Sequence, residues 1–133
     1  MGIRLELSPR WGGTETVELE ISTYQNNGCL YIGINAVGGE YPESYGDMTV
    51  NLGGKVPDYC AYVDINNMPE LESFIAENEI GEFTGLTGKS GFCEYPLYLF
   101  EPEKLRELCP AGMAMYEQSI GMDKKPEEKS KAR

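Results

Sequence analysis

Residues 59–81, YCAYVDINNMPELESFIAENEIG, change period halfway through, and that change decides the fold. Tyr59, Ala61 and Val63 alternate with their neighbours, the two-residue period of a strand. After Asp64 the spacing becomes helical. Asn67 is a good N-cap, Pro69 suits a first turn, and Glu70 stands where a capping box places its acid. Leu71, Phe74 and Ile75 then share one helical face, and Glu70, Glu72, Glu77 and Glu79 share the other. The spacing predicts a helix over 68–79, stopped by Gly81.

Upstream, the chain reads as strands. Ile3, Leu5 and Leu7 alternate with polar neighbours, as do Val17, Leu19 and Ile21, then Leu30, Ile32 and Ile34, then Met48, Val50 and Leu52. Trp11-Gly12-Gly13, Asn26-Asn27-Gly28 and Gly38-Gly39 carry turn chemistry between them, and Asn27-Gly28 predicts a hairpin. Downstream, 81–91 reads as a glycine-rich loop and FCEYPLYLF (92–100) as a strand that Pro96 confines to an edge or a bulge. Pro102 opens a short helix over 102–109 and Pro110 closes it. Met113, Met115, Tyr116, Ile120 and Met122 read as a loose final element. The expected fold is α+β: an antiparallel sheet of about five to six strands with one or two helices packed on one face. One domain is expected over 1–122, and 123–133 (DKKPEEKSKAR) reads as a disordered charged tail.

Charge is the feature that points to function. The chain carries 22 Asp or Glu against 11 Lys or Arg, a net charge of -11. Between Arg10 and Lys89 stand 13 acids and one base, Lys55. Such a surface repels nucleic acid and anionic membranes, and it attracts a basic protein partner. Solubility alone is usually served by both signs. The tyrosines Tyr41 and Tyr45, beside Glu43, add a composition common on binding surfaces.

Catalysis has little to stand on. The chain contains no histidine, so the most versatile general base near neutral pH is missing and Cys93 has none to activate it. No enzymatic role, no cofactor and no metal are expected. GLTGKS (85–90) lacks the first glycine of a phosphate loop, because position 83 is Phe, and it follows a predicted helix instead of opening one. Asp64-Ile65-Asn66-Asn67 continues into Met68 and Pro69, where a calcium loop needs a ligand and a glycine. It reads as an Asx turn. Cys29, Cys60, Cys93 and Cys109 are widely spaced, no apolar stretch is long enough to span a membrane, and no export signal is read; four free thiols in a cytoplasmic protein are expected.

Three blocks carry a resemblance: TVNLGG (49–54), VDINNMPELESFIAENEIGEFTG (63–85) and SGFCEYPLYLF (90–100). In them the chain resembles domain-of-unknown-function family 4313, small proteins of conjugative elements and prophages. The resemblance spans roughly half the chain, from 48 to 105, and its last block is the most specific. It implies no catalytic residues. It implies a mobile-element setting, in which small acidic proteins mimic DNA to block host nucleases.

Two expectations follow. The first is an acidic interaction protein whose sheet face and helix engage a basic, nucleic-acid-binding protein such as a Cas nuclease, acting as an anti-CRISPR or anti-restriction inhibitor. Its candidate surface acids are Glu15, Glu18, Glu20, Glu70, Glu72, Glu77, Glu79 and Glu82. The alternative is a small-ligand-binding accessory domain, with a pocket formed by Asp64, Asn66, Asn67, Ser90, Gly91, Tyr95 and Tyr98.

Overall fold

Every apolar position of the two longest alternating runs is buried. The computed structural model describes residues 3–9, 11–25, 28–54 and 56–121. In it Val17, Leu19 and Ile21 lie on the inner face of β2 (Glu15–Thr23), and Leu30, Ile32 and Ile34 on that of β3 (Leu30–Ala36). The two pair antiparallel from Val17↔Ala36 to Thr23↔Leu30, as a hairpin. Residues 26 and 27 of the predicted turn lie outside the described residues, as do Met122 and the tail. β1 (Leu5–Leu7) flanks β2, and β4 (Glu43–Asp47) flanks β3.

The expected single sheet is two. The first has the order β1-β2-β3-β4; the second, β5-β6-β8-β7, holds β5 (Thr49–Val50), β6 (Cys60–Val63), β7 (Gly81–Ser90) and β8 (Cys93–Phe100). The chain turns from one sheet to the other at Met48. Its N–H donates to the Ile32 carbonyl at 2.8 Å, and its carbonyl accepts from the Asp64 N–H at 2.9 Å. Thr49 seals the corner: its Oγ1 accepts the Ile32 N–H at 3.1 Å and meets the Tyr24 hydroxyl at 2.9 Å. A strand that serves two sheets still alternates, so alternation alone predicts one.

Helices number three among the described residues, one more than expected. α1 (Leu71–Glu77) is shorter than the predicted span, and α2 (Pro102–Leu108) sits where proline placed it. α3 (Pro110–Ser119) replaces the predicted loose element, because Pro110 both closes one helix and opens the next. All three turn apolar residues toward the strands, and Leu71, Phe74, Leu105, Met113 and Tyr116 join the strand residues in one core. The helices thus cover the apolar side, as expected.

The ends of α1 differ from their prediction. Asn67 does not cap it; the helix starts after Glu70, with no side-chain cap. The Asn67 N–H and amide group donate to Asp64 instead, at 3.3 and 2.9 Å, so the Asp64 carboxylate closes a turn one residue wider than the expected Asx turn. At the other end Glu79, not Gly81, takes the left-handed turn, with φ 56°. Its N–H reaches the Ala76 carbonyl and that of Ile80 reaches Ile75, which makes a Schellman stop. Glycine is the usual residue there, because a side chain is strained at that φ. Glu79→Gly is therefore expected to stabilise the fold by about 0.5–1 kcal/mol. Chemical denaturation checks it, and a lowered midpoint would count against this reading of the stop.

The predicted loop at 81–91 is largely strand. β7 pairs with β8 from Gly81↔Phe100 to Ser90↔Cys93, with a register shift between Phe83 and Thr87. Two of its three glycines answer to crowding. A Cβ on Gly81 would stand 2.8 Å from the Leu99 carbonyl oxygen, and one on Gly88 2.7 Å from the Tyr62 ring. Pro96 lies in β8, an interior strand, so of the two places expected for it, an edge or a bulge, it takes the bulge. It is tolerated because it faces Thr87 beside the bulge and β6 pairs only with Leu97 to Leu99.

Candidate functional site

The eight candidate acids do not form one surface. Glu18 and Glu20 lie on the outer face of β2, turned away from the core, whereas α1 packs on the core side. Glu15 shares the register face of Leu7 and Val17 and is half-buried at the strand end. On the outer face the acids already have partners. Arg4 Nε reaches Glu18 at 3.4 Å, Asn35 Nδ2 reaches Glu20 at 3.4 Å, and the Tyr31 hydroxyl donates to Asp47 at 2.7 Å. Glu70 is half-buried and accepts the Tyr45 hydroxyl at 2.8 Å. Tyr41 is exposed.

Glu72, Glu77 and Glu79 are exposed on the helix side, and Glu82 is exposed on the face of β7 that it shares with Leu99, opposite the buried Tyr98 and Phe100. Two of them come together in a cleft, and the backbone explains why. The Glu101 N–H donates to the Ile80 carbonyl at 2.8 Å, which brings the end of α1 to the start of α2. Glu82 pairs with Leu99 across β7 and β8. The Phe100 N–H donates to the Tyr59 carbonyl at 2.8 Å, which sets Tyr59 as a wall. The result is a cleft of about 670 Å³ with Glu79, Glu82 and Glu101 on it and with Tyr59, Leu99 and Pro102 as apolar surface. A neighbouring cleft of about 450 Å³ shares Glu79 and Glu101 and adds Glu103, Glu107 and Lys104. Lys104 stands 4.0 Å from Glu107.

Tyr59 is held in a strained conformation, φ 67°. Its N–H donates to the Tyr116 hydroxyl at 2.8 Å, and its own hydroxyl donates to Glu117. Glu117 is buried and takes Arg106 in a fork, with Nε at 3.0 Å from Oε1 and an outer nitrogen 2.7 Å from Oε2. Arg106 holds the Glu117 carboxyl below the usual carboxylate range; burial opposes that, and the Tyr59 hydroxyl assists it. Burial first, and then the bond to Glu117, push the Tyr59 hydroxyl up to about 12. This network ties α2, α3 and the cleft wall together.

The alternative pocket is only partly assembled. The Asn66 amide donates to the Glu94 carbonyl at 3.1 Å, which brings the Asp64–Asn67 turn against β8. Tyr95 lies near Cys93 and Asp64, and its hydroxyl is raised by desolvation and then by those neighbours. Ser90 and Gly91 sit at the tip of the β7–β8 hairpin. Tyr98 faces the other way: it is buried in the core, its ring 5.9 Å from that of Phe83 and 6.2 Å from that of Phe100. None of the seven lines the cleft of about 670 Å³.

Tyr59, Leu99 and Glu101 went unassigned in the sequence. Leu99 carried a signal. It alternates with the buried Tyr98 and Phe100, so its exposure could be read from strand parity.

The pattern described as "Domain of unknown function (DUF4313)" matches residues 18–120. The chain belongs to the DUF4313 family. Neither the curated proteins nor the solved structures give a match. The three resembling blocks now have a place in this DUF4313 domain: the sheet corner, the turn into α1 with the start of β7, and the hairpin tip with β8. None of its four cysteines is in a disulfide, and Cys29 and Cys60 are buried. Among the described residues, no three His, Cys, Asp or Glu side chains are grouped to hold a metal ion. No helix there is long and apolar enough to cross a membrane.

Proposed function

We propose that this DUF4313 protein is a non-enzymatic, acidic interaction protein that binds a basic, nucleic-acid-binding protein. The observation that carries the reading is the run of 13 acids to one base between residues 11 and 88. Regular elements carry many of these acids, so the charges are held in a fixed pattern. Glu72, in the first turn of α1, suits the helix dipole, but stability does not explain Glu77 and Glu79. Glu77 stands in the last turn of α1, where a carboxylate opposes the helix dipole, and Glu79 adds backbone strain. The helix-side acids support the reading better than the outer sheet face, whose Glu18 and Glu20 are already engaged. The family's setting on mobile elements favours a host nuclease as the target, with the protein acting as an anti-CRISPR or anti-restriction inhibitor.

Affinity capture from nuclease-treated lysate, followed by a salt titration, tests this. The triple variant Glu72→Gln, Glu77→Gln, Glu79→Gln is expected to retain the partner less and to show a shallower salt dependence. Capture equal to wild type at every salt concentration would sink the proposal.

A further inference from the structure

The cleft between α1, the β7–β8 pair and α2 combines two features that a solvated acidic surface does not need together. Leu99 is 42% exposed, a large apolar residue open to water beside Tyr59 and Pro102. Three carboxylates, Glu79, Glu82 and Glu101, stand around that apolar surface, and among the described residues no lysine or arginine lines the cleft with them. The neighbouring cleft adds Glu103 and Glu107, and its one base, Lys104, is already beside Glu107. Apolar surface flanked by carboxylates complements a side chain with an aliphatic stem and a cationic head. Arginine fits best, because its planar fork can meet two carboxylates at once and its stem can cover Leu99.

We infer that this cleft is the docking site for an arginine on a basic segment of the protein partner. The inference rests on the proposed function and names where on the surface that partner is gripped. Leu99 supplies the apolar seat, and Glu82 and Glu101 hold the guanidinium. Glu79 completes the rim.

Titration of the full chain with a short acetylated Arg-Gly-Arg-Gly-Arg peptide tests the site, with the citrulline version as the uncharged probe. Wild type is expected to bind the arginine peptide and not the citrulline one. Glu82→Gln with Glu101→Gln should lose about tenfold in affinity or more, since charged hydrogen bonds are removed. The pair Glu40→Gln and Glu43→Gln makes the same change in net charge elsewhere and should stay within about twofold. Leu99→Ser should weaken binding with no change in charge. Glu79→Gly should weaken binding while raising stability, which a purely structural role would not produce.

Equal losses for the two charge pairs, or full affinity in Leu99→Ser, would overturn the cleft. So would tight binding of a peptide of residues 123–133, because the occupant would then be this chain itself. Failure here, with acid-dependent capture of a lysate protein intact, removes the cleft and leaves the proposed function standing. Cleft-dependent peptide binding without such capture does the reverse.

Discussion

Gly112→Ala is expected to destabilise the protein by about 3 kcal/mol, at the upper end of overpacking costs. In an exposed helix the same change would gain up to about 1 kcal/mol, because alanine is the better helix former. Here the sign reverses. A Cβ on Gly112 would stand 2.1 Å from the Ile21 carbonyl oxygen and 3.0 Å from the Cys109 sulfur. The first obstacle is backbone in the middle of β2, fixed by its pairing with β3, so it cannot swing aside as a side-chain tip could. Helix α3 must lift by roughly 1 Å to restore ordinary separation. Met113 and Tyr116, fully buried on the same helix, would lose their packing as it moves. Urea unfolding measures the cost. Gly39→Ala, where a Cβ meets nothing within 4 Å, is the control and should shift stability by less than about 0.5 kcal/mol. An unchanged midpoint for Gly112→Ala would mean that α3 does not lie flush on β2.

What the sequence made legible follows from which interactions are local. β2 and β3 were readable because Val17, Leu19 and Ile21 and their partners bury one strand face and wet the other, which writes the period into the chain. β7 was hidden by its own glycines. Gly81 and Gly88 read as loop residues, yet each answers a close approach by a distant segment, Leu99 in one case and Tyr62 in the other. Gly85, at φ 92°, sits where the register shifts. α3 was hidden because Ala111, Met113, Ala114, Met115 and Tyr116 place apolar groups nearly all round it, which leaves no clear stripe. The candidate site divides in the same way. Glu79 and Glu82 stood out as charges, but their meeting with Glu101 depends on a hydrogen bond between Ile80 and Glu101 that no spacing announces. Arg106 and Glu117 are eleven residues apart on different helices, too far for any helical pairing rule to join them.

That last pair carries the second large effect. Glu117→Gln is expected to cost about 2 kcal/mol near neutral pH. Losing one partner of a fully buried pair costs more, but the Arg106 side chain is 45% exposed, so water can take up part of its charge. The acid limb of the stability curve should identify the mechanism. Arg106 depresses the folded-state pKa of Glu117 below its unfolded value, so its contribution is complete above roughly pH 4.3. It is lost as the pH falls through the folded-state value. Wild type should therefore lose stability on acidification faster than Glu117→Gln, and the two curves should converge once the pH has fallen through the folded-state value. Urea midpoints across that range measure it, and parallel curves would show that the ion pair is not what Glu117 contributes. The variant also bears on binding. Tyr59 keeps its left-handed backbone with help from Tyr116 at its N–H and Glu117 at its hydroxyl, and it forms a wall of the acidic cleft. Weakening that hold loosens the wall while leaving Glu79, Glu82 and Glu101 in place. Arginine-peptide affinity should then fall by a few-fold, less than on removal of the rim carboxylates themselves.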